Sequence, residues 1–188
     1  MSHPAFQMPT PVSIIARASS ITNSFINTII PVVPPSDDEV LEALAILGMD
    51  PSDPCCAYCG DPPTEWDHLR PLVLNQRPTG YISEIGNLVP ACGKCNQSKG
   101  NKPWRAWIES NARRSPRARG IADLSDRIER LIAYERWRDV QPIDFAAIVG
   151  EEVWAQHWAN WRRVLEVMRE SQEFAAGVRA RIASSRAA

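Results

Sequence analysis

Two CxxC pairs constrain this chain more than any other feature. Cys56 and Cys59 form the first, Cys92 and Cys95 the second, and 32 residues separate them. Thiolates bind zinc in tetrahedral sets of four, and a CxxC turn offers two sulfurs to one side of an ion. Two such turns facing each other complete a closed structural site, so the segment between them must fold back on itself. The alternatives are a disulfide framework or plain buried cysteines. Five cysteines is an odd number, four lie in CxxC pairs, and the sequence opens on no secretory leader. A metal site in a reducing, cytoplasmic setting is therefore expected. Cys55 is left over, a spectator or fallback ligand beside the first pair. The spacing points to zinc and is silent on catalysis.

Between the pairs, Trp66-Asp67-His68-Leu69 alternates large and polar residues, the pattern of a short strand. Pro71 ends or bends it at an edge. Leu72-Val73-Leu74 can continue it, and residues 75–80 read as a loop. Asn87-Leu88-Val89-Pro90 reads as the returning strand. The turn at Ala91–Cys95 feeds a short helix through Asn96-Gln97-Ser98-Lys99, which Gly100 ends. The expected order is strand, loop, strand, short helix.

These residues, written as Cys56-x2-Cys59, Asp67-His68-x2-Pro71 and Asn87-x2-Pro90-x-Cys92-x2-Cys95-Asn96-x2-Lys99-Gly100, carry a resemblance. The segment resembles the HNH endonucleases, the ββα-metal fold, in their four-cysteine zinc-containing form. The likeness covers about a quarter of the chain. Asn96 stands where the family often has a second His. The resemblance implies phosphodiester hydrolysis, which needs a base for water, a cation for the developing charge, and groups that hold the backbone. His68 is the expected base, because an imidazole titrates near neutral pH. Asp67 and Asn96 offer hard oxygen ligands that suit one Mg²⁺ or Mn²⁺. The family's middle Asn fixes a loop and orients the base, a role that falls to Asn87. Lys99, Arg70 and Lys94 are expected phosphate contacts. The competing reading makes Asp67-His68 an ordinary satisfied pair, Asn87 a turn cap, and Lys99 and Arg70 solvated charges.

The net charge of −1 and pI of about 6.3 exclude a uniformly basic DNA-coating protein. The charge is local. From Lys94 to Arg119, the basic residues Lys94, Lys99, Lys102, Arg105, Arg113, Arg114, Arg117 and Arg119 face Glu109 alone, an excess of seven. Such a patch attracts a polyphosphate whatever the global balance, so DNA is the expected partner. No uninterrupted apolar run reaches membrane-spanning length, so no membrane is expected.

The flanks read as helices. Residues 1–11 hold Pro4, Pro9 and Pro11 and suggest an extended arm, with His3 in it. Thr10-Pro11 can start a helix bearing Ile14, Ile15, Ala18, Ile21, Phe25, Ile26 and Ile29 at helical spacing. Ser36-Asp37-Asp38-Glu39 is a capping box for a second helix ending near Gly48. Asn101 can cap a helix containing Trp104 and Trp107, which suit core packing better than base stacking. Arg113–Gly120 is a basic loop. Ile121, Leu124, Ile128, Leu131 and Ile132 stripe another helix, to about Trp137. From Gly150 the longest periodic run places Val153, Trp154, Trp158, Trp161, Leu165 and Met168 on one face, extended by Phe174, Val178 and Ile182. Three Trp there suggest burial in the core or a dimer interface, with His157 packing among them. The tail from Arg179 either frays or touches DNA.

The expected fold is α+β, a small zinc-stapled ββα-metal core embedded in a mainly helical chain. Its expected segments are 1–35 (arm and docking helix), 36–54 (capped helix and linker), 55–112 (zinc domain) and 113–188 (basic loop and C-terminal helices). The expected function is a Mg²⁺-dependent DNA endonuclease in restriction or defence, acting as a homodimer on double-stranded DNA. The rivals are a non-catalytic zinc module that binds nucleic acid, and a nicking enzyme of phage or mobile-element origin.

Overall fold

The computed structural model describes residues 9–185. His3, most of the expected arm and residues 186–188 lie outside the described residues. In chain order the helices are α1 (Ala18–Thr28), α2 (Asp37–Ile46), α3 (Gly93–Lys99), α4 (Trp104–Ile108), α5 (Leu124–Trp137), α6 (Phe145–Val149) and α7 (Glu151–Ser185). The strands are β1 (Glu65–His68), β2 (Val73–Leu74), β3 (Arg77–Pro78) and β4 (Leu88–Ala91). They form two two-stranded sheets, β1 with β4 and β2 with β3. The class is α+β, as expected.

The chain divides into two compact units, one of Ile26–Phe145 and one of the residues up to Phe25 with those from Ala146 onward. α5 belongs with the zinc segment because Leu131 and Tyr134 are fully buried in the same core as Tyr58, Val89 and Trp107. The Tyr134 hydroxyl lies within hydrogen-bonding reach of the Ile85 and Leu88 carbonyls, so α5 is fastened to the start of β4 by polarity as well as packing.

In this unit Ser36 caps α2 through the anticipated box. Its hydroxyl accepts from Glu39 N at 3.3 Å, while the Glu39 carboxylate accepts from Ser36 N at 2.9 Å. Asp37, Asp38 and Glu39 put negative charge at the helix's positive end. β1 runs antiparallel to β4, with Asp67 opposite Val89 and His68 opposite Leu88. The loop expected over 75–80 is partly a hairpin. Asn75 and Gln76 both take positive φ (49° and 60°), the conformation a two-residue turn needs between β2 and β3. α3 begins at Gly93, three residues before the expected Asn96, and ends at Gly100 with φ of 51°. α4 starts after Pro103 and not at Asn101. Trp104 and Trp107 are buried there, as core packing requires. Trp107 meets the Tyr58 ring edge-on at 5.1 Å.

In the other unit a 3-10 turn over Ile15–Arg17 precedes α1. The helix therefore starts later than Thr10-Pro11 suggested, consistent with the stiffness of the β-branched pair Ile14-Ile15. α6 and α7 are separated by Gly150 at φ of 87°. α7 has 35 residues, a length of about 52 Å. Trp158 is buried, with Trp154 and Trp161 edge-on to it at 5.6 and 5.7 Å. Trp161 Nε1 donates to Thr22 Oγ1 at 3.0 Å. His157 packs against Phe25 and Trp158, with ring centroids 5.5 and 5.2 Å away. Four expected members of the stripe, Val153, Phe174, Val178 and Ile182, are exposed instead, Phe174 at 76%. No described helix is long and apolar enough to cross a membrane.

Candidate active site

The two CxxC turns meet. The sulfurs of Cys56, Cys59, Cys92 and Cys95 all lie within 4.8 Å of one another, and the four residues are buried. Cys59 Sγ and Cys92 Sγ stand 3.7 Å apart. Two sulfurs bound tetrahedrally at about 2.3 Å from zinc stand about 3.8 Å apart, so the set fits the ion. As bare thiols Cys56, Cys59 and Cys95 compete for protons. A hydrogen bond from Cys56 pulls the Cys59 thiol far below its usual range, while the same pairing pushes Cys56 up to about 12 and Cys95 is driven above the ordinary thiol range. A bound cation would favour the thiolate form of the set. Cys55 lies outside the cluster. Arg119 reaches Cys95 Sγ at 3.6 Å and Asp61 at 2.8 Å, so this cation backs the knuckle. Gly60, at φ of 81°, leaves room for the Arg127 guanidinium, which would lie 2.5 Å from an added Cβ.

The first knuckle also touches the chemistry. Tyr58, fully buried between Cys56 and Cys59, donates its hydroxyl to Asp67 Oδ2 at 2.6 Å. Asp67 lies on β1 and Lys99 at the end of α3. The Lys99 ammonium is 3.1 Å from Asp67 Oδ2 and 3.2 Å from Oδ1, and it donates to the His68 carbonyl at 2.7 Å. Burial raises the Asp67 carboxyl against the pull of Lys99, and burial lowers Lys99 against the pull of Asp67. Lys99 was an expected phosphate contact. With its side chain 1% exposed and its donors used inside the domain, it is a strut between helix and strand.

His68 ends β1 with its ring half-buried and Nε2 2.8 Å from Ser83 Oγ. Burial, and then repulsion from Lys99, hold the imidazole down at about 4, so it is neutral at neutral pH. Asn87, fully buried just before β4, accepts from Arg70 N at 2.7 Å and donates to the Arg70 carbonyl (3.1 Å) and the Ile82 carbonyl (3.2 Å). Its own carbonyl accepts from Leu69 N at 2.8 Å. Asn87 thereby fastens the chain directly after His68 to the loop before β4.

Asn96 lies one turn before Lys99 on α3. Its amide donates to the Glu65 carboxylate, which leaves the Asn96 carbonyl oxygen for another partner. Glu65 was not anticipated, although β1 alternation places it on the same face as Asp67. Tyr58 and Ser83 were also missed. Tyr58 looks in sequence like a spacer inside a CxxC turn, and Ser83 lies in a loop with no motif around it.

The basic residues divide. Arg70 braces the core through the Gly86 carbonyl and Glu135. Arg105 pairs with Glu135 at 2.7 Å, Lys102 donates to the Ser98 carbonyl at the end of α3, and Arg117 donates to the Glu109 carbonyl. Lys94, Arg113 and Arg114 are exposed.

Comparison with known proteins supports the same segment. Residues 56–102 match the HNH endonuclease family. The CRISPR-associated endonuclease Cas9 of Corynebacterium diphtheriae is 41% identical over 61 residues, 30% of this chain and 5% of that protein. The CRISPR-associated endonuclease Cas9 of Actinomyces naeslundii is 34% identical over 73 residues, 37% of this chain and 6% of its own length. The chain thus spans only a small part of these relatives. No solved structure matches it. Residues 56–102 are therefore an HNH endonuclease domain.

Proposed function

We propose that the protein is a divalent-metal-dependent endonuclease that hydrolyses phosphodiester bonds in DNA. The reading rests above all on the HNH endonuclease match over residues 56–102, where β1 carries His68, its ring met by Ser83, and where Glu65, Asp67 and Asn96 offer oxygen. These are hard ligands of the kind Mg²⁺ or Mn²⁺ takes. Asn96 keeps its carbonyl oxygen, and Glu65 is exposed. Asp67 Oδ2 accepts from Tyr58 and Oδ1 from Lys99, so each carboxylate oxygen keeps a lone pair. The cation, when bound, neutralises charge that builds on the phosphate and on the leaving oxygen.

His68 accepts the proton of an attacking water. Attack in line on phosphorus expels the 3′ oxygen and leaves a 3′-hydroxyl and a 5′-phosphate, the outcome the family resemblance implies. Asn87 holds the segment after His68 and Lys99 holds the His68 carbonyl, so the base enters the reaction already aligned. Lys94, Arg113 and Arg114 supply exposed positive charge for the DNA backbone. One site cuts one strand, so cleavage of both strands calls for a second copy, and a symmetric homodimer is the simplest arrangement. A cytoplasmic restriction or defence role agrees with unpaired cysteines and a DNA substrate.

The test is supercoiled plasmid incubated with zinc-loaded protein, with and without added Mg²⁺. Omission is preferable to EDTA, which would also strip zinc. Nicked or linear product that requires Mg²⁺ is expected. Plasmid binding without any cleavage under either condition would make the protein a zinc-stabilised binding module. End mapping separates restriction, with fixed cuts on both strands, from nicking on one.

A further inference from the structure

His68 is fixed at two points. Lys99 holds its backbone carbonyl, and Ser83 meets its ring, Nε2 to Oγ, at 2.8 Å. Ser83 is itself held from both sides. Its carbonyl accepts from Val33 N at 2.8 Å and its N–H donates to the Pro31 carbonyl at 3.2 Å, so Pro31–Val33 runs alongside as a short parallel bridge. On the other side Asn87 grips the adjacent Ile82 carbonyl. A loop serine with no catalytic motif around it is thus clamped between a segment 50 residues upstream and the loop before β4.

A neutral imidazole carries one N–H, and which nitrogen bears it is set by the partner of the other. We propose that Ser83 is a positioning residue for His68. Its oxygen accepts the Nε2 proton, which fixes the ring and leaves the Nδ1 lone pair to take the proton of water. The Pro31–Val33 segment acts through Ser83 by fixing where that oxygen stands. This inference rests on the assignment of His68 as the base.

The experiment compares wild type with Ser83→Ala, Ser83→Thr and His68→Ala, all zinc-loaded, on a DNA duplex with Mg²⁺. Ser83→Ala is expected to lower kcat roughly ten- to hundredfold, as misorientation of a catalytic group does, with KM within about twofold. Ser83→Thr, which retains the hydroxyl, is expected to restore most of kcat. Ring ¹⁵N spectra are expected to show the Nε2–H tautomer in wild type and a mixture in Ser83→Ala. Should Ser83→Ala fold poorly, Ser83→Thr against the near-isosteric Ser83→Val isolates the hydroxyl. Wild-type kcat in Ser83→Ala, or in Ser83→Val, together with an inactive His68→Ala would overturn the positioning role while leaving the base assigned. A fully active His68→Ala would remove the base itself, and with it this inference.

Discussion

Two ion pairs, one in each unit, show how differently the chain uses charge. Lys99 and Asp67 sit between β1 and α3 with side chains 1% and 5% exposed. Arg169 and Glu166 pair along α7 with side chains 54% and 59% exposed. The first pair carries a buried cost, and Tyr58 and the His68 carbonyl complete its hydrogen bonding. The second lies in water, where such a pair contributes little. Apolar groups show the reverse pattern, since past Trp158 the stripe of α7 leaves Phe174 and Ile182 on the surface. Buried polar groups held in complete sets mark where geometry is being specified, and the zinc segment is that place.

The contrast breaks first under metal removal. Zinc-finger-like sites draw on the order of 10–16 kcal/mol from zinc. Chelation should therefore abolish hydrogen-exchange protection across residues 56–102, while the amides around Trp158 in α7 keep theirs. Equal loss in both would show that the two regions do not differ in this way.

Next in size is Lys99→Met. It strands a buried carboxylate, so chemical denaturation should report about 3–5 kcal/mol of lost stability at neutral pH. Arg169→Met, the matched change on α7, should cost less than about 0.5 kcal/mol. Similar losses for the two variants would erase the distinction drawn from burial.

A smaller effect comes from pH. The His68 imidazole sits at about 4 in the fold against an ordinary value near 6.5. As pH falls from about 6.5 towards 4, the unfolded chain takes up a proton that the folded chain refuses. Stability is then lost on acidification by about 1–3 kcal/mol at most. The difference between wild type and His68→Gln isolates this slope from that of the zinc thiolates, which both proteins share. Identical slopes would place the ring in solvent. The smallest effect expected is for Phe174→Ser on α7, which should change stability by no more than about 0.5 kcal/mol.

Much of the zinc segment was legible because its constraints are local. CxxC spacing, a Gly after a helix and a capping box each act within a few residues, so Cys56, Cys59, Gly100 and Ser36 stood where they were expected. The orientation of side chains was not local. Lys99 is one turn from Asn96 and reads as a surface cation, yet it turns inward because Asp67, 32 residues earlier in the chain, needs a counter-charge. Ser83 gains its meaning only from Pro31 and Val33. Glu65 was within reach of alternation alone, since residues two apart on a strand share a face. On α7 the expected stripe holds for Trp154, Trp158, Trp161, Leu165 and Met168, whereas Val153, Phe174, Val178 and Ile182 are exposed, because an apolar residue near the right spacing need not fall on the covered face.

The most direct measurement is the single-turnover rate of DNA strand cleavage by His68→Ala against wild type, at matched zinc content and saturating Mg²⁺. Loss of a positioned general base predicts a fall of about 10²- to 10⁴-fold with the zinc cluster intact. An unchanged rate would contradict the account, because the buried network around Asp67, Lys99 and Asn87 would then be holding a histidine that the reaction does not use.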